Sequence, residues 1–226
     1  MKNLKSTSPL MFDRIAKRYD FINRVLSCGI DIYWRRFLIK EIPDWQIKLL
    51  DIACGTGDQL LAILKKRKNI TLAKGLDLST GMLEIAKKKG SPDYFLVGDA
   101  KALPFGDESF DAASISFGIR NIDEPLIALK EMHRILSAKG KALVLEFSLP
   151  KNLLARSVYL FYLRHILPFV GNFLSKDKEA YSYLSKTIES FPYGSDFVDL
   201  MKEAGFTQAT SKPLSFGIAT LYVGVK

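Results

Sequence analysis

The strongest constraint on the fold is the stretch KLLDIACGTGDQLLAIL, residues 48–64. An apolar run enters a Gly-x-Gly turn there, and a helical apolar pattern leaves it. A strand that runs through a glycine turn into a helix is typical of the first unit of a nucleotide-binding α/β sheet. Leu60, however, stands where the third glycine of the dinucleotide motif G-x-G-x-x-G belongs. The stretch therefore predicts a nucleotide-type site whose ligand is not a standard dinucleotide.

Strands and helices are predicted to alternate along the chain from this unit onward. Short apolar runs bounded by turn residues predict strands, and amphipathic runs that follow cap residues predict helices. The predicted strands are 49–53, 71–76, 94–97, 110–118, the buried strand that follows a Lys-Gly turn in AKGKALVLEFS (138–148), 206–210 and 218–225. The predicted helices are 58–66, a segment opened by Ser79 or Thr80, 124–136 and 195–204. This alternation indicates an α/β fold with a mostly parallel sheet and helices on both faces.

Two helical regions are predicted beside the alternating pattern, one from Phe12 to Lys40 and one after Pro150. The length of 226 residues suits one large domain. We predict a single domain, 1–226, made of an N-terminal helical cap (1–44), a cofactor-binding core (45–150), a helical lid insertion (151–192), and a closing helix and strands (193–226).

The segment Leu153–Leu174 is apolar enough to suggest a membrane span. Arg156, Arg164, His165 and Pro168 interrupt it, so a spanning helix is not expected. Three interpretations stay open: helices packed in the core, a dimer contact, or the wall of an apolar pocket near a membrane.

Charges beside the glycine turn indicate what kind of ligand it receives. Gly55 and Gly57 bring the backbone near a ligand without an intervening Cβ atom. Asp51 and Asp58 flank the turn, and their negative charge disfavours the pyrophosphate of a dinucleotide. The turn is therefore expected to bind a ligand that lacks phosphate and carries positive charge.

Two further aspartates end the next two predicted strands. Asp77 follows Gly57 by twenty residues, where a carboxylate can accept hydrogen bonds from both ribose hydroxyls. Asp99, in LVGDA, can accept from an exocyclic amine such as that of adenine, although a plain turn residue that caps the next segment is an alternative. A ligand that contains adenosine, lacks phosphate and carries positive charge is expected, and S-adenosylmethionine is the cofactor that meets these conditions.

The run LLDIACGTGD, GLDLSTGMLEIAKKK and GDAKALPFGDESFDAASISFGIRNIDEPLIALKEMHRIL resembles a class I methyltransferase. Together with RYDFINRVLSCGIDIYWRR, GKALVLEFSLP and YSYLSKTIESFP, it resembles the ubiquinone/menaquinone C-methyltransferase family, which acts on polyprenylated quinol rings. The resemblance implies a Rossmann-like, mostly parallel seven-stranded sheet with N-terminal helices and a helical lid. It implies C-methylation of a quinol, with conversion of demethylmenaquinol to menaquinol favoured.

The resemblance also implies cofactor contacts at Thr56, Asp77, the Asp99–Ala100 pair and Ser116. The first three agree with the expectations drawn from the residues themselves. Ser116 lies near the end of the fourth predicted strand, and an ordinary small residue that faces a helix is its alternative.

C-methylation of a hydroquinone needs a stabilised phenolate, and SISFGIRN places polar residues just past the fourth strand. Arg120 stays protonated and suits a phenolate oxygen, and Asn121 suits the second ring oxygen. Tyr19 is a third polar contact or relays a proton through water. The alternatives are that Arg120 pairs with a carboxylate and that Tyr19 only packs. The general base is left open between Asp20 and water, and no metal site is expected.

The net charge of +9 favours an anionic partner, and the first 48 residues hold ten Lys/Arg against five Asp/Glu. An anionic membrane surface is one candidate, and a solvated face without a partner is another. No nucleic-acid-binding motif is visible, so no nucleic acid partner is expected. Two isolated cysteines and the lack of a signal-peptide pattern favour a cytoplasmic location, and a homodimer is one candidate assembly.

Other functions stay open at this point. The same cofactor would serve a methyltransferase that acts on another small molecule or on RNA. A non-catalytic, methyltransferase-like partner subunit is the alternative from a different class.

Overall fold

The computed structural model describes residues 8–175 and 178–226. Within them lies one seven-stranded sheet in the order β3-β2-β1-β4-β5-β7-β6. Its strands are β1 (Ile47–Ile52), β2 (Ile70–Asp77), β3 (Phe95–Val97), β4 (Phe110–Ser116), β5 (Leu136–Phe147), β6 (Gln208–Leu214) and β7 (Ala219–Val225). Strands β1 to β5 pair in parallel, and β7 runs antiparallel to both β5 and β6. The predicted mostly parallel, seven-stranded α/β fold is confirmed.

Nine α-helices surround the sheet in the described part of the chain. They are α1 (Ser8–Leu26), α2 (Ile30–Glu41), α3 (Asp58–Lys66), α4 (Thr80–Lys89), α5 (Pro125–Ile135), α6 (Leu153–Phe161), α7 (Leu167–Ser175), α8 (Lys178–Ser190) and α9 (Ser195–Glu203). Local chemistry explains where two of these helices begin. The Ser79 hydroxyl accepts from the Met82 amide at 3.1 Å and caps α4, and Pro125 occupies the first turn of α5, where a missing N–H costs nothing.

The hydrophobic core lies on both faces of the sheet. On one face α5 and α9 bury Met132 and Phe197, and on the other α2 and α3 bury Leu38 and Ile63. A third apolar cluster joins α1 with α6, α7 and α8. Each fully buried side chain of this size contributes about 1.5–3 kcal/mol relative to an exposed one. The helices of the predicted cap and of the predicted lid are therefore held by packing as well as by the chain.

β5 and β6 depart furthest from their predicted bounds, and the other strands differ by one or two residues at an end. β5 begins at Leu136, before the turn at Lys139, because the chain pairs with β4 at Phe110 and again from Ala112. β6 covers Gln208–Leu214 instead of 206–210, since its register follows β7 along its whole length. Phe206, predicted to open this strand, is buried in the core next to α9.

The helices α6 and α7 are joined by a π-helical turn, Tyr162–Ile166, just before Pro168. The helical path continues past this proline because the wider turn accommodates a residue that lacks an N–H. By length and composition alone, one described stretch, Leu153–Gly171, is apolar enough to cross a membrane, and 17% of it is buried. One face packs through Tyr159 and Leu163, so the stretch lies along the surface of the fold.

Part of the predicted cap and lid falls outside the described residues. These parts are residues 1–7 of the cap and residues 176–177 of the lid.

Candidate active site

The carboxyl ends of the central strands meet at one edge of the sheet, and the predicted cofactor residues gather there. A cavity of about 310 Å³ opens at this edge. Of the predicted cofactor residues, those that line it are Gly55, Asp77, Asp99, Ala100 and Ser116. A cavity beyond the ends of parallel strands is the usual ligand position in such sheets. We call it the cofactor cavity.

Glycine stands at the two positions of the turn for different structural reasons. Gly55 has φ +54, lines the cofactor cavity, and a Cβ atom added to it would meet nothing within 4 Å. Gly57 has φ +80 and is not among the residues that line the cofactor cavity. A Cβ atom on Gly57 would lie 2.9 Å from Phe95 Cζ and 3.2 Å from Ala86 Cβ. Gly57 therefore serves helix–strand packing, and its contact with the ligand stays a prediction.

Asp77 is oriented by the backbone around it. Its two carboxylate oxygens accept from the amides of Gly55 at 2.7 Å and Ser79 at 2.8 Å. Burial raises the pKa of Asp77, and these amide hydrogen bonds oppose the rise. Each oxygen keeps a further lone pair, so the carboxylate is positioned to accept hydroxyl groups of a ligand.

Asp99 and Thr56 also have protein partners. The Lys101 amide donates to Asp99 at 2.9 Å, so Asp99 forms the local turn that was the alternative while still lining the cofactor cavity. The Thr56 hydroxyl donates to Asp20 at 2.6 Å. Thr56 lines a separate cavity of about 30 Å³, which we call the end cavity. Thr56 therefore lies beside the cofactor cavity rather than in its wall.

Asp51 is the buried carboxylate of the end cavity. Its Oδ1 accepts from the Ser114 hydroxyl at 2.6 Å, and its Oδ2 has no hydrogen-bond partner among the described residues. Burial raises the pKa of Asp51 to about 7, although Ser114 and Arg35 oppose the rise. The buried hydroxyl of Ser116 also has no hydrogen-bond partner in the residues that the structure describes, and Ser116 lines both the cofactor cavity and the end cavity. Buried polar atoms of this kind are normally satisfied, so they fit a cationic, polar ligand end.

Asp58 differs from Asp51 although both flank the same turn. Its two carboxylate oxygens lie 2.7 Å from Lys89 Nζ and 2.7 Å from Arg24 Nη2. Burial would raise the pKa of Asp58, but Lys89 and the nearby arginines outweigh it and lower the pKa. Its charge is thus neutralised within the protein. Among the described residues Asp51 has no such ion pair, so the prediction that an acid beside the turn meets a cationic ligand stays open for Asp51.

A larger cavity of about 560 Å³ adjoins the cofactor cavity, and we call it the acceptor cavity. Its wall is mostly apolar and comes from α1, α2, α6, α7 and α8 together with the strand ends. Four residues line both this cavity and the cofactor cavity: Phe12, Tyr19, Phe117 and Asn121. The two cavities therefore meet at these side chains, which is where a group would pass from one ligand to the other.

The three predicted catalytic residues all line the acceptor cavity. Arg120 is buried and pairs with Glu146 at 2.8 Å, and it also donates to the Phe117 carbonyl, so the carboxylate pairing weighed as its alternative is present. Within the described part of the chain, neither the Nε atom of Arg120 nor the buried Oδ1 of Asn121 has a hydrogen-bond partner. Burial raises the pKa of Tyr19 although Arg120 and Asn23 oppose it, which keeps the phenol a hydrogen-bond donor.

Asp20, weighed as a general base, does not line the acceptor cavity. It lies at the end cavity, where it accepts from Thr56 and pairs with Lys89 at 2.6 Å. Among the described residues no group of three or more His, Cys, Asp or Glu side chains is placed to hold a metal ion.

Sequence reasoning missed Glu146 and Arg35. Glu146 is the single acid in the apolar run ALVLEF, and a lone charge in a buried strand predicts a buried partner. Arg35 lines both the acceptor cavity and the end cavity, and its guanidinium lies 5.4 Å from the centre of the Phe117 ring. Nothing in the local pattern of α2 distinguishes Arg35 from its neighbour Arg36.

Comparisons with known proteins identify the family of the chain. A model of the ubiE/COQ5 methyltransferase family matches residues 2–226. The ubiquinone/menaquinone biosynthesis C-methyltransferase UbiE of Geotalea uraniireducens is 43% identical over 223 residues, covering 96% of this chain and 94% of that protein. The demethylmenaquinone methyltransferase of Thermotoga maritima is 42% identical over 217 residues, covering 95% and 93%. The predicted family resemblance is confirmed.

Solved structures support the fold. A crystal structure from Thermotoga maritima, described as an S-adenosylmethionine-dependent methyltransferase and possible histamine N-methyltransferase, aligns with a TM-score of 0.70. The identity is 24%, and the alignment covers 95% of this chain and 98% of that one. At this identity the likeness concerns the class I methyltransferase fold alone.

Proposed function

The chain belongs to the ubiE/COQ5 methyltransferase family and is an S-adenosylmethionine-dependent C-methyltransferase, and we propose that its acceptor is a polyprenylated quinol, with demethylmenaquinol favoured. The observation that carries this proposal is the junction of two cavities. A polar cofactor cavity meets a mostly apolar acceptor cavity of about 560 Å³ at Tyr19, Phe117 and Asn121. A ring with a hydrocarbon tail suits such a cavity better than RNA does.

The residues of the cofactor cavity suit the parts of S-adenosylmethionine. Asp77 is oriented for the ribose hydroxyls, Asp99 and Ala100 line the adenine side, and Gly55 leaves room along the turn. Thr56 and Ser116 bound the far end, next to Asp51. When bound, S-adenosylmethionine supplies a methyl group activated by its sulfonium.

The chain's own residues would align the acceptor ring and stabilise its phenolate. Tyr19 and Asn121 stand at the junction and are placed for the ring oxygens. Arg120 brings guanidinium N–H donors to the cavity, and its pairing with Glu146 holds the guanidinium in one orientation. Because Asp20 lies outside the acceptor cavity, water is favoured as the acceptor of the ring proton.

The isoprenoid tail would lie along the helical side of the acceptor cavity. Tyr159, Leu163 and Leu167 of the α6–α7 region line it, together with Leu184 and Ile188 of α8. We propose that the predicted cap (1–44) and lid (151–192) together exclude water from the ring and enclose the tail. Both regions contribute side chains to this cavity, which supports the assignment.

A surface beside the cavity supports contact with a membrane. We define the apolar ridge as the exposed side chains Leu153, Leu154, Val158, Phe161 and Phe169 on α6 and α7. Val158 belongs to the ridge and also lines the acceptor cavity, so the cavity reaches this surface. Lys151 and Arg156 lie next to the ridge in the chain and suit anionic headgroups. We propose peripheral binding to the cytoplasmic face of an anionic membrane, with no nucleic acid partner.

Vesicle sedimentation tests the membrane contact. Leu154→Gln with Phe169→Gln should weaken binding to anionic vesicles, whereas Trp45→Gln, an exposed apolar residue off the ridge, should not. Unchanged binding in the double variant would refute the contact. A change from dimer to monomer in the same variant would instead assign the ridge to a homodimer.

Incubation with labelled S-adenosylmethionine tests the catalytic proposal. Reduced demethylmenaquinol and the corresponding demethylated benzoquinol are offered separately, and products are identified by mass. We expect one added methyl group on the ring carbon of the naphthoquinol. Methylation of RNA or of a small tail-free amine in place of both quinols would contradict the proposed acceptor.

A further inference from the structure

The turn between β6 and β7, Ser215–Gly217, carries a side chain that packing does not explain. Phe216 is 90% exposed, more than any other large apolar residue in the described part of the chain. Its φ is +59°, in the left-handed region that a bulky residue seldom adopts. Ser215 and Gly217 are also left-handed, with φ values of +45° and +92°. An exposed phenyl ring and a strained backbone are each unfavourable, and strain of this kind is typical of functional sites.

The surrounding structure fixes the conformation of this turn. The indole Nε1 of Trp34 on α2 donates to the Ser215 hydroxyl at 2.8 Å. The Ser148 hydroxyl donates to the Gly217 carbonyl at 2.7 Å. Trp34, Ser148 and Gly217 are all buried, so these hydrogen bonds are shielded from water. The Phe216 side chain is therefore presented to solvent by an anchored backbone.

Phe216 lies where the acceptor cavity opens to solvent. Four of the described residues that line this cavity are exposed, and we call them the cavity mouth: Cys28, Ile30, Val158 and Phe216. Ile30 precedes Trp34 by one turn of α2, so it lies on the same side of that helix as the indole that holds Ser215. The α1–α2 connection, α6 and the β6–β7 turn thus all contribute to the opening.

The other end of the acceptor cavity is closed. It lies at the junction with the cofactor cavity, where Phe117 is buried. The volume of about 560 Å³ is that of a site for a drug-sized ligand. A quinol ring at the junction and its first isoprene units would occupy this space, so the later units of a longer tail must leave through the cavity mouth. There they would meet Ile30, Val158 and Phe216.

We propose that Phe216 is a specificity-determining residue for the isoprenoid tail, and that it holds the emerging units together with Ile30 and Val158. The inference rests on the proposed function for the identity of the acceptor. It adds which tails are selected, because only a tail that reaches the cavity mouth gains this contact. The contact removes the phenyl ring from water and so offsets the exposure that the free protein carries.

Steady-state methylation of two demethylmenaquinols, one with a single isoprene unit and one with six, tests this selection in micelles of one nonionic detergent. The wild type should show the higher kcat/KM for the long-tailed quinol. Phe216→Ala should lower kcat/KM for the long-tailed quinol about tenfold, which corresponds to partial burial of one phenyl ring. It should leave the short-tailed quinol nearly unchanged. Phe216→Leu keeps an apolar side chain and should restore most of the preference.

Phe21→Ala is the matched control, because Phe21 is an exposed phenylalanine of α1 that is not among the residues that line the acceptor cavity. It should keep the wild-type preference for the long tail. S-adenosylhomocysteine should bind Phe216→Ala as tightly as the wild type in calorimetry, since Phe216 is not among the residues that line the cofactor cavity.

Three results would overturn the inference and leave the proposed function intact. The first is an unchanged tail preference in Phe216→Ala. The second is an equal loss for both quinols, because a residue that only supports the fold would act that way. The third is a loss that occurs with quinols in anionic vesicles but not in micelles, which would assign Phe216 to lipid contact. A wild type that methylates neither quinol would overturn the proposed function together with this inference.

Discussion

Replacing Asp51 with asparagine should stabilise the cofactor-free protein, and increasingly so as the pH rises. Asp51 is 1% exposed, and burial raises the pKa of its carboxyl to about 7 from an ordinary value of 3.8. A raised native pKa means that the folded protein keeps a proton that the unfolded chain has already released. The stability that this proton contributes is complete below about pH 4 and is lost as the pH rises to about 7.

The size of the effect follows from the pH range in which the Asp51 carboxyl is protonated in the folded protein but ionised in the unfolded chain. Between about pH 5.5 and pH 7 the carboxyl is ionised in the unfolded chain and mostly protonated in the native protein. Each pH unit in this range therefore lowers the free energy of unfolding of the wild type by about 1.4 kcal/mol. The free energy of unfolding should therefore fall by about 2 kcal/mol over this window. Asparagine does not titrate and avoids the loss. For a chain of this length the gain corresponds to about 4–8 °C in the melting temperature.

Thermal melts of the cofactor-free wild type, Asp51→Asn and Asp58→Asn at about pH 5.5 and pH 8 test this reasoning. Asp58 flanks the same turn, but its pKa is lowered because Lys89 and the arginines outweigh burial. Asp58→Asn should thus destabilise the protein equally at both pH values. If the difference between Asp51→Asn and the wild type is the same at both pH values, native Asp51 does not retain its proton and the argument is wrong.

Further substitutions probe packing, the buried ion pair and the cofactor cavity. Gly57→Ala should destabilise the protein by about 1–3 kcal/mol in urea unfolding, because its Cβ would lie 2.9 Å from Phe95 at a φ of +80°; an unchanged midpoint would contradict this packing. Arg120→Ala leaves Glu146 as an unpaired buried charge and should cost about 3–5 kcal/mol of stability. Arg120→Lys keeps the positive charge but loses the planar set of guanidinium N–H donors, so turnover should fall about tenfold or more. Cofactor affinity measured by calorimetry should stay unchanged. Full turnover in this variant would show that Arg120 takes no part in the reaction. Asp77→Ala should abolish cofactor binding by calorimetry, and retained binding would show that the ribose is held elsewhere.

Features that depend on neighbours along the chain were predictable. Apolar periodicity, the glycine turn and the Ser79 cap are local, and they predicted the alternating elements within a few residues. Parallel strands present their carboxyl ends at one edge, so the position of Asp77 at the end of β2 was enough to place it in the cofactor cavity. The bounds of β6 were missed because its register is set by pairing with β7 rather than by its own pattern.

The charge state and the partners of the site residues were decided by the tertiary structure. Asp51 and Asp58 flank the same turn in the sequence, yet only Asp58 forms ion pairs with Arg24 and Lys89, which lie on two other helices. Asp51 keeps one carboxylate oxygen without a hydrogen bond among the described residues. In the same way Arg120 gains Glu146 from a neighbouring strand. The sequence by itself determined the fold and the cofactor class, because strand and turn propensities act over a few residues. Ion pairing and desolvation act over a few ångströms between residues far apart in the chain, so only the folded protein decided which charges remain for a ligand.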